Sequence, residues 1–181
     1  STDRGLYAIQ LNGKGKRTLH PTRGFNGATF SKGGMYYIHS YSDETIPPKY
    51  SLYLSKNNKR VRALLNNDAL IEKTDSFGFS NKEFSTLEVN GEQLNMWMIK
   101  PTDFDPAKKY PLLMFQYSGP GSQQVANRWG SGQDWWHKSI ADRGYIIACV
   151  DGRGTGLKGA AFKKVTYLNF VKYEAQDQIE A

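Results

Sequence analysis

Tyr117 is the side chain whose type and setting could most directly do chemistry. It follows the apolar run Leu112-Leu113-Met114-Phe115, which gives way at once to the polar, glycine- and proline-rich stretch Tyr117-Ser118-Gly119-Pro120-Gly121-Ser122-Gln123-Gln124. Consecutive apolar residues predict a strand covered on both faces, because a strand with one wet face would alternate. Catalytic and ligand-binding groups in open α/β sheets gather just beyond the carboxyl ends of such strands. A phenol at that place is a rigid donor that could hold an oxyanion. The competing expectation is a packed tyrosine whose hydroxyl is tied to a carbonyl.

Other motif-like features carry less. Gly154-Thr155-Gly156-Leu157-Lys158-Gly159 has the letters of a dinucleotide fingerprint after a strand-like segment. Asp151-Gly152-Arg153 separates the strand from the glycines, no periodic helix opens at Gly159, and no acidic ribose ligand follows at the required interval. No dinucleotide cofactor, and no cofactor of any other kind, is therefore expected. No Gly-Lys-Ser/Thr phosphate loop occurs. His20, His39 and His137 lack ligand spacing, so no metal site is expected. Trp129, Trp135 and Trp136 stand at near-helical spacing, which predicts packing of a helix onto a sheet. Cys149 lies inside the apolar run Tyr145–Val150 and reads as a packed small hydrophobe. No Gly-x-Ser-x-Gly occurs, so the nucleophile elbow of an α/β-hydrolase is absent from this sequence.

The elements that would position Tyr117 follow from periodicity and turn chemistry. Leu6–Leu11 alternates, Asn12-Gly13 reverses the chain and Lys16–Leu19 returns, which predicts a hairpin. Phe25–Phe30, Met35–Tyr41, Tyr50–Ser55 and Arg60–Leu65 predict four further strands. A hairpin plus a four-stranded unit is the pattern of a β-propeller cut open near its end. A small independent sheet is the alternative. The segment from Asn66 to Ser80 reads as a linker or short helix, placing a domain boundary near residue 70. Beyond it, Lys82–Val89 and Glu92–Ile99 flank the hairpin turn Asn90-Gly91. Residues 128–143 predict a helix with Trp129, Trp136, Ile140 and Ala141 on its apolar side and Gly144 past its end. Tyr145–Val150 predicts a second buried strand, and a helix begins near Tyr173. The expected fold class is α/β with an all-β portion: the end of a β-propeller over residues 1–70, then the incomplete sheet of an α/β-hydrolase over residues 71–181.

Composition limits the function classes. The 181 residues are 39% hydrophobic and 13% aromatic, a globular balance with a core to bury. The net charge of +7 comes from lysines and arginines scattered singly and in pairs, such as Lys16-Arg17 and Lys163-Lys164. Without a basic helix or nucleic-acid motif, that distribution describes a solvated surface and no nucleic-acid partner is expected. No apolar run approaches the ~20 residues that cross a bilayer. The opening Ser1-Thr2-Asp3-Arg4 has no signal-peptide pattern.

The order Tyr117-Ser-Gly-Pro-Gly-Ser-Gln123, then Asp151-Gly-Arg-Gly-Thr-Gly156, then Lys172-Tyr-Glu-Ala-Gln-Asp-Gln-Ile-Glu180 resembles the dipeptidyl peptidase IV branch of the prolyl oligopeptidase family, in its bacterial form. Pro47-Pro48-Lys-Tyr-Ser-Leu-Tyr53 also looks like that family, so the resemblance runs over nearly the whole chain. It implies a propeller preceding a hydrolase domain and a serine exopeptidase releasing N-terminal di- or tripeptides after proline or alanine by acyl transfer. It implies Tyr117 as an oxyanion donor, with the nucleophile, acid and base beyond residue 181, so that this segment alone would be inactive. It further implies peptide partners with Pro or Ala at the penultimate position, a homodimeric full-length protein and a periplasmic or extracytoplasmic location. A non-catalytic propeller-edge binding or structural module is the alternative function. The absent next strand also leads to the expectation of unpaired sheet edges and exposed apolar surface.

Overall fold

The computed structural model describes residues 2–181, so Ser1, the first residue of the expected β segment, lies outside it. The chain divides into two compact units, one of Asp3–Phe77 with Asn127–Gly130, the other of Gly78–Ala126 and Ser131–Ala181 with Thr2. Both are rich in β-structure, with few helices.

In the first unit β1 (Leu6–Ala8) and β2 (Arg17–His20) form an antiparallel pair. The strands β3 (Phe25–Phe30), β4 (Tyr36–Ser42), β5 (Lys49–Leu54) and β6 (Lys59–Leu65) form a four-stranded antiparallel meander in chain order. The hairpin and four strands expected from turn residues and alternation are therefore present. The turns carry the residues that left-handed backbone requires: Gly33 and Gly34 at φ 84° and 69° join β3 to β4, and Asn58 at φ 58° joins β5 to β6. A short helix, α1 (Asp68–Asp75), follows. The segment Asn127–Gly130 joins this unit through Asn127, whose amide donates to Asp3 at 2.8 Å and whose side-chain oxygen accepts the Glu44 backbone N–H at 3.1 Å.

The core of this unit is aromatic and polar. His20 and His39 stack in parallel with ring centroids 3.6 Å apart, and Tyr53 meets both edge-on. Tyr37 donates its only proton to Asn58, so it must accept from His20 Nε2–H at 2.8 Å. His39 Nε2 donates to Asn26 Oδ1 at 2.9 Å. Burial lowers the pKa of both imidazoles, and the neighbouring His20 pushes His39 down further, to about 4. The unfolded chain, with an ordinary histidine pKa near ~6.5, thus takes up protons before the folded one does. This contribution to stability is complete above pH ~6.5 and is lost as pH falls toward about 4. The Tm is accordingly expected to drop between pH 7 and pH 5, and His39→Gln to flatten that slope. An unchanged slope in His39→Gln would contradict the assignment.

In the second unit β7 (Glu83–Val89) and β8 (Glu92–Ile99) form the predicted hairpin, with Asn90 and Gly91 at φ 52° and 78° as its two-residue turn. The strand β9 (Leu112–Met114) leads into the tyrosine segment. Then come α2 (Gly132–Ala141), β10 (Ile146–Asp151), the short helix α3 (Ala160–Lys164) and α4 (Lys172–Glu180). The sheet order is β7-β8-β10-β9, with β10 antiparallel to β8 and parallel to β9. Its central strand, β10, is buried over Ile147–Asp151. On one face Trp97, Ile99, Ile147 and Cys149 pack with Ala141 and Ile140 of α2; on the other Leu94, Val150 and Val89 pack with Phe162 of α3. Cys149 is fully buried and its thiol is pushed up to about 12 by that burial, in keeping with a packed hydrophobe.

Two expectations are corrected here. The run Leu112–Phe115 is covered on its two faces only in part: Leu113 and Phe115 pack against the core on the α2 side and Met114 against that on the α3 side, but these three are half-buried and Leu112 is 57% exposed. Among the described residues β9 pairs only with β10, so it is an edge strand. The apolar side of α2 also differs. The helix begins at Gly132, where the Asp134 carboxylate accepts the Ser131 backbone N–H at 2.6 Å, leaving Trp129 outside it. Its buried residues are His137, Lys138 and Ala141, while Trp136 is 54% exposed. His137 fits because Trp97 and Phe115 flank its ring at 5.7 and 5.0 Å. Lys138 fits because it donates to Asn81 at 2.9 Å and lies over the Trp135 ring.

Candidate functional site

Tyr117 stands three residues past the carboxyl end of β9, in the loop that runs from there to Ala126. The loop is built on permissive backbone: Gly119 and Gly121 adopt φ of 115° and 90°, which other residues adopt only with strain. The phenol is 66% exposed, and its hydroxyl has no hydrogen-bond partner among the described residues. Within the described residues the tyrosine is therefore not packed with its hydroxyl tied to a carbonyl. Tyr117 instead borders a cavity of about 600 Å³ whose other walls include Ser118, Phe170, Val171, Glu174 and Gln178. Glu174 Oε2 and Gln178 Oε1 are buried without a hydrogen-bond partner. The cavity thus combines apolar walls with a phenolic donor at its border, the make-up of a site that binds a polar group within apolar surroundings.

The far end of the loop is clamped. Asp151, the last residue of β10, is 3% exposed, and its two carboxylate oxygens accept the backbone N–H groups of Gln124 and Val125, each at 2.9 Å. Burial raises the Asp151 pKa above the ordinary carboxylate value, against the pull of those two donors. The Trp97 indole donates to the Gln124 carbonyl at 3.2 Å, and the Gly156 N–H donates to the Ser122 carbonyl at 2.8 Å. The glycine-rich stretch after β10 is thus committed to holding the tyrosine loop. Gly154 lies where a Cβ would come within 2.7 Å of Thr166, and Gly156 adjoins the backbone of Gly121 and Ser122. The helix that follows Gly159 is only five residues long, too short to present a phosphate-binding terminus.

Sequence reasoning pointed to Tyr117 and missed Asp151. The available signal was an acidic residue closing an otherwise apolar buried run, a place where a carboxylate must find partners.

Neither serine near Tyr117 is paired for nucleophilic attack. Ser118 donates to Gln116 at 2.8 Å, and Ser122 reaches the carbonyls of Tyr117 and Gly119 at 3.3 and 2.9 Å. His137 is buried against Trp97 and Phe115, and His20 and His39 are bonded to Tyr37 and Asn26. Among the described residues no serine is hydrogen-bonded to a histidine, and no three metal-ligating side chains are grouped.

The sequence model of the prolyl oligopeptidase family matches residues 131–181. A probable dipeptidyl-aminopeptidase B of Phaeosphaeria nodorum is 35% identical over the whole chain, which covers 20% of that protein. A dipeptidyl peptidase 4 of Trichophyton rubrum is also 35% identical over the whole chain, which covers 24% of it. The crystal structure of Porphyromonas gingivalis dipeptidyl peptidase 4 superposes with a TM-score of 0.92 at 42% identity, over 99% of this chain and 25% of that one. The chain therefore spans about a fifth to a quarter of the length of these relatives. It is thus similar to the prolyl oligopeptidase family over residues 131–181 and, over its whole length, to part of proteins named dipeptidyl peptidases.

Proposed function

We propose that the parent protein is a serine exopeptidase that releases di- or tripeptides from peptide amino termini after proline or alanine, and that Tyr117 supplies one donor to the oxyanion of its acyl-transfer intermediates. The observation that carries this reading is the exposed, unpartnered phenol just past β9, beside a cavity with apolar walls. A donor held free of competing bonds is one that an oxyanion can take up without first breaking a hydrogen bond. The names of the relatives support the same class of activity. In this reading the meander β3–β6 is the end of a propeller, the β7-β8-β10-β9 sheet opens an α/β-hydrolase domain, and the nucleophile, base and acid lie outside these 181 residues. On the same resemblance the parent is proposed to be homodimeric and extracytoplasmic.

A fluorophosphonate, which modifies only an activated serine, separates this from a non-catalytic binding module. The full-length parent is expected to be labelled stoichiometrically and to cleave a Gly-Pro chromogenic dipeptide. Residues 1–181 alone are expected to remain unlabelled, because Ser118 and Ser122 have no histidine partner. An unlabelled parent would favour the binding module, and a labelled segment would overturn the placement of the nucleophile.

A further inference from the structure

Between Tyr117 and its anchor at β10 lies one side chain that bonds to the tyrosine's own backbone. The Ser122 hydroxyl sits 3.3 Å from the Tyr117 carbonyl and 2.9 Å from the Gly119 carbonyl, sharing its single proton between them. Ser122 also donates its backbone N–H to Gly119 at 3.1 Å, and its own carbonyl is held by the Gly156 N–H at 2.8 Å. Its next two neighbours but one, Gln124 and Val125, are fixed by the buried Asp151 carboxylate. On the other side of the turn, Gly119 has nothing within 4 Å of where a Cβ would stand and so contributes no packing of its own. The backbone of Tyr117 is thus tied to the rigid end of β10 through Ser122, across a turn whose two glycines impose little restraint.

Resting on the reading of Tyr117 as oxyanion donor, we propose that Ser122 is a positioning residue: it holds the Tyr117 backbone so that the phenol meets the oxyanion, and makes no contact with substrate. A donor acts in an oxyanion site only within hydrogen-bond distance of where charge develops, so a loosened loop lowers kcat while leaving ground-state binding, and hence KM, almost unchanged.

The test is a double-mutant cycle in the full-length parent with a Gly-Pro chromogenic substrate. Ser122→Ala is expected to lower kcat by roughly three- to tenfold, the effect of one ordinary hydrogen bond, with KM and Tm close to those of the parent. Ser122→Thr, which keeps the hydroxyl, is expected to retain most of the rate. In a Tyr117→Phe background Ser122→Ala should cause no further loss, because the group it positions is gone. The same factor in both backgrounds would overturn the proposal, as would an unchanged kcat in Ser122→Ala. A lowered kcat in Tyr117→Phe with none in Ser122→Ala would remove only the positioning role. An unaltered rate in Tyr117→Phe would remove the oxyanion reading as well.

Discussion

Replacing Asp177 with alanine is expected to destabilise the unit that contains Tyr117 by about 3–5 kcal/mol, the cost of stranding one partner of a buried ion pair. Asp177 is fully buried in α4. It accepts Arg153 Nη2 at 2.6 Å, Arg153 Nε at 3.0 and 3.1 Å, and the Arg153 backbone N–H at 2.7 Å. The guanidinium is only slightly exposed and lies over the Tyr173 ring, 4.6 Å from its centroid. Gly152 permits the close approach of α4, since a Cβ there would stand 3.1 Å from the Asp177 Cβ. Removing the carboxylate leaves a charged, partly desolvated guanidinium and a backbone donor without their acceptor. Asp177→Asn keeps one acceptor oxygen and is expected to cost less. Urea unfolding followed by tryptophan fluorescence measures both variants; a loss below about 1 kcal/mol in Asp177→Ala would place the pair among the weakly contributing surface bridges instead.

Much of this framework was legible in the sequence because its signals are local. Asn90-Gly91 and Gly33-Gly34 demand left-handed backbone, and the residues around them alternate, so strands and register follow together. The run before Asp151 is apolar on both faces because α2 covers one and α3 the other. The same apolar pattern misled at Leu112, since periodicity reports what a strand can bury and not which neighbours flank it. The burial of His137 and Lys138 was equally hidden. Their partners, Trp97, Phe115, Asn81 and Trp135, come from separate parts of the chain, and nothing in the local pattern of α2 announces them. For the site, residue type and strand end pointed to Tyr117. The clamp formed by Asp151, Trp97 and Gly156 depends on bonds between residues 26 to 34 positions apart in the chain, which spacing does not encode.

The second large effect concerns the phenol itself. Tyr117→Phe removes a hydroxyl that bonds to nothing among the described residues and whose ring is two-thirds exposed, so the fold of these residues loses almost nothing. A small change in stability with a large change in rate is the signature of a group used only in the transition state. Loss of one oxyanion donor typically costs ~10²-fold or more in kcat. A tyrosine used only for ground-state binding would instead raise KM and leave kcat alone.

The measurement that bears most directly on this account is kcat for a Gly-Pro chromogenic dipeptide in the full-length parent and in its Tyr117→Phe variant, with Tm recorded for each. The account predicts a fall in kcat of about 10²-fold or more at nearly constant KM and Tm. A variant that turns over substrate at the parent's rate would contradict it.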